Sequence, residues 1–201
     1  MRVENVEMAW VSGWASDISI WEDEIYERFP DFSHRFVDYW DLISADSDEI
    51  PGIGRAGIVV GWSMGTLALL RNLGQKPKEQ RWILVCPIAD FCACWPRAAV
   101  RATTPKSFSD LMDDVPNEER EKWLENAMRY SPEQLTAGLN YLIQKKADLS
   151  AANINELEFL FGAKDKIVPL AQKELFPSGK VYENLGHWLP DYFDEIHGMV
   201  L

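Results

Sequence analysis

The sequence predicts an α/β protein with a mostly parallel sheet of six strands, helices on both faces and a small helical insertion. Short runs of β-branched and aromatic residues alternate with longer segments of helical character, which is typical of β-α units. The chain has 201 residues, of which 47% are hydrophobic, enough to build one sizeable core. We therefore expect a single domain covering residues 1–201.

Six runs are predicted as strands, and four stretches outside the insertion as helices. The strands are Val6–Val11, His34–Trp40, Gly57–Trp62, Arg81–Pro87, Glu156–Gly162 and Gly179–Leu185. The helices begin at a capping box of Ser19 and Glu22, at Met64 with a stop at Gly74, at Pro169 and at Pro190.

The insertion is predicted between the fourth and fifth strands, at about residues 92–150. The stretch from Pro87 to Glu156 has no strand pattern and is far longer than an ordinary loop. Good helix starts at Pro116 and at Ser131-Pro132 indicate two or three short helices that lie over the sheet.

Charge and composition argue against several classes of protein. The net charge of -12 repels polyphosphate and disfavours nucleic-acid binding. Neither a membrane span nor a secretory leader is recognisable, so a cytoplasmic protein is expected. An odd number of cysteines, Cys86, Cys92 and Cys94, argues against a disulfide framework and favours buried thiols.

The residues Gly61-Trp62-Ser63-Met64-Gly65 match the pattern G-x-S-x-G at the junction of a predicted strand and helix. Glycine is needed on both sides of such a strained turn because a Cβ would collide with neighbouring elements. The turn exposes the central hydroxyl above the sheet, and Ser63 is therefore the candidate nucleophile.

A serine hydroxyl needs a base, which in turn needs an acid to orient it. Among three histidines, His34 opens a strand and His197 lies near the chain end, whereas His187 follows the last strand. Asp165 follows the fifth strand, so the chain order is Ser63, Asp165, His187. These three residues are the candidate catalytic triad.

An oxyanion hole is expected from two backbone N–H groups. One belongs to Met64, directly after the nucleophile. The other is assigned to Trp14 in the loop Val11-Ser12-Gly13-Trp14, where Gly13 allows close approach of the backbone.

With these motifs, the sequence resembles the α/β-hydrolase superfamily over nearly its whole length. Within it, the Ser12–Trp14 loop, the Ser63 turn, the acid loop and Gly186-His187 are similar to the carboxylesterases that demethylate pimeloyl-acyl-carrier-protein methyl ester in biotin synthesis. The resemblance implies the same triad and oxyanion donors, no metal or cofactor, and an insertion that acts as a lid and meets the carrier protein.

Several features depart from that family. The chain begins at the family's third strand, the lid is short, Ser12 stands where the family has His, and Thr66 stands where Gly is frequent. Some relatives take the acid from the loop after the preceding strand, so Asp90 is a rival to Asp165.

Weaker signals have simpler interpretations. Gly52-Ile53-Gly54-Arg55-Ala56-Gly57 matches a dinucleotide fingerprint but leads into a strand rather than a helix, so it is interpreted as a turn. Cys92 and Cys94 lack the further ligands of a zinc site.

Three tryptophans, Trp14, Trp62 and Trp188, are next to candidate catalytic residues in the sequence and are candidates for an apolar substrate pocket, with packing in the core as the alternative. Arg97, Arg101 and Lys106 have no acid among them and form a candidate contact for an acidic carrier protein, with solvated surface charge as the alternative.

The predicted function is a serine carboxylesterase that works through an acyl-enzyme, with the methyl ester of pimeloyl-acyl-carrier protein as the narrower candidate substrate. The alternatives are a thioesterase or lactonase with the same triad, and a hydrolase-like binding module without activity. The oligomeric state and acyl-chain length are left open.

Overall fold

The computed structural model describes residues 6–44, 50–150 and 154–201. The first five residues, which belong to the segment searched for a leader, lie outside these ranges. No helix in the described part of the chain is long and apolar enough to cross a membrane.

The architecture is a six-stranded sheet in the order β2-β1-β3-β4-β5-β6, and every neighbouring pair is parallel. The strands are β1 (Glu7–Val11), β2 (Ser33–Val37), β3 (Ile58–Trp62), β4 (Arg81–Val85), β5 (Glu158–Gly162) and β6 (Lys180–Tyr182). The predicted six-stranded α/β fold is therefore confirmed, with each of the six strands shorter than predicted.

Eight α-helices accompany the described strands, together with short 3₁₀ turns. The helices are α1 (Glu22–Arg28), α2 (Tyr39–Ser44), α3 (Met64–Arg71), α4 (Arg97–Arg101), α5 (Pro105–Asp110), α6 (Asn117–Ala127), α7 (Pro132–Gln144) and α8 (Phe193–Val200). Helices α4 to α7 lie between β4 and β5, where the insertion is predicted. Contacts pair α1 with α8 and α2 with α3.

The predicted helix starts differ from the observed ones in three places. Pro190 lies in a 3₁₀ turn (Leu189–Tyr192), and α8 begins only at Phe193. No capping box forms between Ser19 and Glu22, because the Asp17 side chain accepts the Ser19 N–H and caps a 3₁₀ turn (Ile18–Trp21) that leads into α1. The stretch from Pro169 folds as a 3₁₀ turn (Leu170–Leu175) rather than an α-helix.

Strand β2 ends three residues earlier than predicted. The Asp38 carboxylate accepts the backbone N–H of Trp40, and the chain turns into α2 at this point. A short side-chain acceptor that starts a turn therefore overrides the β propensity of Tyr39 and Trp40.

The strand order gives the sheet a switch point between β1 and β3. The chain passes from β1 to β2 on one side and then crosses to β3 on the other side of β1. In open parallel sheets, ligands bind outside the carboxyl ends of the strands at such a point. The loops after β1 and β3 hold Gly13 and Ser63, which places both at this crevice.

Candidate active site

Ser63 occupies a strained turn between β3 and α3. Its backbone has φ 53° and ψ -120°, in a region that residues with a side chain rarely adopt. Such a conformation costs on the order of 1–3 kcal/mol and persists only where the surroundings enforce it. The turn carries the side chain away from the sheet at the carboxyl end of β3, as the G-x-S-x-G pattern predicts.

Two glycines make this turn possible by allowing close packing. A Cβ on Gly65 would lie 2.4 Å from the Val11 carbonyl oxygen and 2.8 Å from that of Ser12. A Cβ on Gly61 would lie 2.4 Å from the Leu69 side chain. The absence of a side chain at Gly65 therefore lets α3 begin directly against the loop after β1, and its absence at Gly61 lets Leu69 of α3 pack on the strand.

Ser63, His187 and Asp165 form a continuous chain of hydrogen bonds. Ser63 Oγ lies 3.0 Å from His187 Nε2, and His187 Nδ1 lies 2.8 Å from Asp165 Oδ2. The three residues are 4%, 2% and 8% exposed, so water is almost excluded from them. The structure thus brings together the three residues that the sequence analysis selected.

The Asp165 carboxylate is fixed by its own loop. Oδ1 accepts the backbone N–H groups of Ile167 and Val168, both at 2.8 Å, and Oδ2 faces His187. Because both oxygens have partners, the orientation of the carboxylate toward His187 is fixed. An ionised acid in this position orients the ring and stabilises its charged form.

The rival acid, Asp90, faces elsewhere. Its carboxylate pairs with Lys146, and its backbone carbonyl accepts a long hydrogen bond from Gln172. The carboxylate that binds His187 is therefore that of Asp165.

The other two histidines are remote from Ser63. His34 Nδ1 accepts the Trp10 indole N–H at 3.2 Å, and Nε2 lies 3.1 Å from the Phe29 carbonyl. Partial burial lowers the pKa of His34. The ring of His197 packs against Phe29.

The loop after β1 lies beside the nucleophile. A Cβ on Gly13 would be 3.1 Å from Ser63 Cβ, so the backbone approaches the serine closely. The loop is anchored by Ser12, whose N–H donates to the Val37 carbonyl at 3.0 Å and whose Oγ accepts the Ile18 N–H at 3.1 Å. Met64 is the first residue of α3, where backbone N–H groups have no partner within the helix.

A cleft with a volume of about 100 Å³ opens next to this loop. Trp14 and Ile167 connect it to the two loops described above, and helices α4, α5 and α7 supply most of the rest. Its lining is Trp14, Phe91, Trp95, Ala99, Val100, Thr103, Phe108, Leu111, Leu139, Leu142 and Ile167. Thr103 is the one side chain with a polar group apart from the two indoles, so the cleft suits an apolar ligand.

The expectation that Trp62 and Trp188 line a pocket does not hold for this cleft. Trp62 is 1% exposed, and its indole N–H donates to the His187 carbonyl at 2.9 Å. Trp188 is 3% exposed and packs edge-on against Trp21. Neither ring is part of the lining of the cleft, although each is next to a candidate catalytic residue in the sequence.

Phe108 of α5 is a site residue that the sequence analysis missed. Its ring contacts the His187 imidazole edge-to-face at 5.7 Å and the Trp14 ring at 5.5 Å. It therefore covers the site from the insertion and also lines the cleft. No local pattern distinguishes Phe108 from an ordinary core residue, so a contact over such a sequence distance is not predictable from one sequence.

Helix α7 is joined to the same loop through Trp14. The indole N–H donates to the Leu135 carbonyl at 3.0 Å. A Cβ on Gly138 would lie 2.5 Å from Trp14 Cδ1, so the helix approaches the indole closely only at a glycine. The insertion and the loop beside Ser63 are thus packed as one unit.

Three further features of the chain could suggest a metal or nucleotide site. Potential metal-ligating atoms of Cys86, Asp165 and His187 lie within 4.8 Å of one another. Two of these atoms, His187 Nδ1 and Asp165 Oδ2, hydrogen-bond to each other at 2.8 Å. The glycine-rich segment 52–57 leads into the amino end of β3, and Cys94 Sγ faces Gln172 at 2.9 Å.

The three basic residues of the candidate carrier contact differ in their ion pairing and in the helix to which they belong. Arg97 and Arg101 are exposed, one turn apart on α4, a helix that also lines the cleft. Lys106 forms an ion pair with Asp110 one turn further along α5 at 3.1 Å.

Comparison with known proteins supports the fold. No model of a known protein family matches the sequence, and a search of curated proteins finds no match. Among solved structures, an esterase (EaEST) from Exiguobacterium antarcticum is similar, with a TM-score of 0.72 and 14% identity over 98% of this chain and 90% of that one.

Two further solved structures have similar TM-scores, sequence identities and coverage. A structure from a study of carboxylesterases of Nitrososphaera gargenis has a TM-score of 0.69, at 14% identity over 98% of this chain and 90% of that one. Est816, described as an N-acyl homoserine lactone degrading enzyme, has a TM-score of 0.64, at 14% identity over 98% and 94%. The chain therefore has the α/β-hydrolase fold.

The role of Asp165 as the acid can be tested by substitution. Replacing Asp165 with Asn removes the charge that holds and stabilises the imidazole, and kcat for ester hydrolysis should fall by about 10³- to 10⁴-fold. Steady-state kinetics on the purified variant measure this. Asp90→Asn is the matched control and should keep activity within about twofold, because Asp90 pairs with Lys146 instead. The reverse result would transfer the role to Asp90.

Proposed function

We propose that the protein is a serine hydrolase that cleaves carboxylic esters through an acyl-enzyme. The single observation that carries this proposal is the hydrogen-bonded chain from Ser63 through His187 to Asp165 at a strained strand-to-helix turn. The fold, shared with esterases, supports the same class of reaction.

In the first half-reaction, Ser63 Oγ attacks the carbonyl carbon while His187 Nε2 takes the hydroxyl proton. Asp165 stabilises the imidazolium that forms. The tetrahedral intermediate collapses, the bond to the leaving alkoxide breaks, and His187 returns the proton so that an alcohol departs. Ser63 then carries the acyl group.

In the second half-reaction, His187 activates a water molecule that attacks the acyl-enzyme. Collapse of the second intermediate breaks the bond to Ser63 Oγ, which regains its proton from His187, and the carboxylic acid leaves. Throughout, the proposed donors to the oxyanion are the backbone N–H groups of Trp14 and Met64. Each such donor is worth about 2.7–4 kcal/mol in related enzymes.

The cleft suggests an apolar acyl group. It begins at Trp14, whose backbone is the proposed oxyanion donor, and runs between helices of the insertion. A carbonyl held at the oxyanion loop would therefore direct its acyl chain into an apolar channel, where burial of each methylene contributes about 0.8 kcal/mol.

The alternative functions are an enzyme that uses the same three residues and a binding module that does not use them for catalysis. A thioesterase or lactonase would differ in leaving group alone, and Est816 is a structural neighbour described as degrading a lactone. A binding module without activity would not react at Ser63.

The decisive experiment compares the wild type with Ser63→Ala on p-nitrophenyl esters of increasing acyl length. We expect wild-type turnover and a loss of about 10⁴-fold or more in the variant, since the nucleophile is gone. A fluorophosphonate probe should label the wild type and spare the variant. Full turnover by Ser63→Ala would reject the mechanism, and an inert, unlabelled wild type would favour the binding module.

The acyl cleft is tested by Ala99→Phe, which places a ring in the channel. Turnover of octanoyl esters should fall by about tenfold relative to acetyl esters, because the longer chain loses its space. Ala98→Phe is the matched control on the same helix, as Ala98 is exposed and absent from the cleft lining. Equal selectivity in both variants would place the acyl chain elsewhere.

The narrower proposal is a methyl ester of pimeloyl-acyl-carrier protein, as the family resemblance implies. Its structural support is the pair Arg97 and Arg101, exposed beside the cleft on a protein whose net charge is -12. A local positive patch would attract an acidic carrier that the rest of the surface repels. Lys106 contributes less to this patch because Asp110 neutralises it.

Charge reversal tests the carrier proposal. Arg97→Glu with Arg101→Glu should raise KM for the carrier-bound methyl ester about tenfold or more at low salt, with no change for a free methyl ester. Methanol release measures both. The control pair, Arg55→Glu with Lys78→Glu, makes the same charge change near the amino ends of β3 and β4 and should leave both KM values unchanged. No methanol from the carrier-bound ester would reject this substrate.

A further inference from the structure

The loop that carries His187 is bonded at three consecutive carbonyl groups. The first belongs to Leu185, which accepts the Lys164 N–H at 2.9 Å. Lys164 directly precedes Asp165, so this bond connects the histidine loop to the segment that supplies the carboxylate. The donor is a backbone group, which any residue except proline would provide.

The second carbonyl, that of Gly186, accepts the Tyr192 hydroxyl at 2.7 Å. Tyr192 is fully buried just before α8. A Cβ on Gly162 at the end of β5 would lie 2.4 Å from this carbonyl oxygen and 2.6 Å from the tyrosine hydroxyl. The strand therefore packs directly against the bonded pair and leaves the peptide no room to rotate.

The third carbonyl belongs to His187 itself and accepts the Trp62 indole N–H at 2.9 Å. Trp62 directly precedes Ser63, so the residue next to the proposed nucleophile holds the backbone of the proposed base. The ring is fixed on its other side by the backbone of Gly13, where a Cβ would lie 3.1 Å from Trp62 Cε3.

The space behind these bonds is filled by a thiol. Cys86 Sγ lies 3.6 Å from the Tyr192 hydroxyl and 3.7 Å from the Gly186 carbonyl oxygen. Burial raises the pKa of Cys86, and the charge of Asp165 raises it further. The thiol therefore stays neutral and adds no second negative charge beside the carboxylate.

We infer that the Tyr192 hydroxyl and the Trp62 indole N–H are positioning groups that fix the backbone of His187 so that its two ring nitrogens meet Ser63 and Asp165 together. The inference rests on the proposed function. Two hydrogen bonds at opposite edges of one ring tolerate little rotation, and a shift of about 1 Å can reduce the rate about 10²-fold. Both donors bond a backbone carbonyl and not Ser63 Oγ or a ring nitrogen of His187, although the Trp62 ring also packs against the imidazole with centroids 5.6 Å apart.

Tyr192→Phe removes the hydroxyl alone. We expect kcat for p-nitrophenyl esters to fall about 5- to 30-fold while KM changes less than about twofold, because the base is misplaced and the cleft is intact. Tyr39→Phe is the matched control: Tyr39 is fully buried, and within the described structure its hydroxyl has no hydrogen-bond partner. This control should keep the wild-type kcat.

Trp62→Phe removes the second donor, and Trp82→Phe is its matched control. Both tryptophans are 1% exposed and donate their indole N–H, Trp82 to the Gln80 side chain near the amino end of β4. Urea denaturation should show a loss of unfolding free energy in both variants, because each loses volume and one bond. Only Trp62→Phe should lower kcat of the folded protein.

A double variant tests whether Tyr192 acts through His187. In the His187→Ala background, Tyr192→Phe should cause no further loss of residual activity, since the group it positions is absent. A full additional loss, or a Tyr192→Phe variant with wild-type kcat, would overturn the inference.

Proton NMR provides a readout that does not depend on turnover. The downfield resonance of the His187 Nδ1 proton, which is bonded to Asp165, should broaden and exchange faster with water in Tyr192→Phe. An unchanged resonance would overturn the inference even if no ester were cleaved, whereas failure of the wild type to hydrolyse esters would count against the proposed function alone.

Discussion

The parallel direction of all six strands is the constraint on which the site depends. It brings the carboxyl end of every strand to one edge of the sheet. Gly13 after β1, Ser63 after β3, Asp165 after β5 and His187 after β6 therefore meet, although most of the chain separates the first from the last. If one of these four strands ran in the opposite direction, the loop after it would lie at the opposite edge of the sheet, and the four residues would no longer meet.

Burial gives this edge its chemical character. Ser63 and His187 are almost inaccessible, with the Phe108 ring against the imidazole, while the charges that make the protein acidic lie mostly at its surface. In such a dry environment, hydrogen bonds are stronger than in water, and an unpaired charge would be costly. Asp165 is tolerated because three N–H groups surround its carboxylate.

Local patterns were sufficient to predict the six strands and the residues that meet in the hydrogen-bonded chain. A strand that ends in G-x-S-x-G, and polar residues that follow later strands, are signals readable within a few residues. The start of α2 was missed because one Asp38 hydrogen bond outweighs the strand propensity of two aromatic residues. Phe108 and the cleft were missed because they depend on how distant helices pack, which no short window encodes.

The two tryptophans expected in a pocket illustrate the same limit. Trp62 and Trp188 are next to Ser63 and His187 in the sequence, and this adjacency is the basis of the expectation. It does not reveal on which side of the backbone each ring projects, because that is decided by the twist of the sheet and the path of the following loop. The indole of Trp62 consequently faces a carbonyl rather than the cleft.

The bond from Trp14 to Leu135 and the gap at Gly138 have a consequence for protein engineering. Helix α7 cannot be exchanged for the equivalent helix of another protein with this fold as an independent module, since its backbone is shaped around one indole of the loop beside Ser63. A chimera would have to transplant the tryptophan, the acceptor carbonyl and the glycine together. Otherwise the grafted helix would pack at a greater distance and displace the loop beside Ser63.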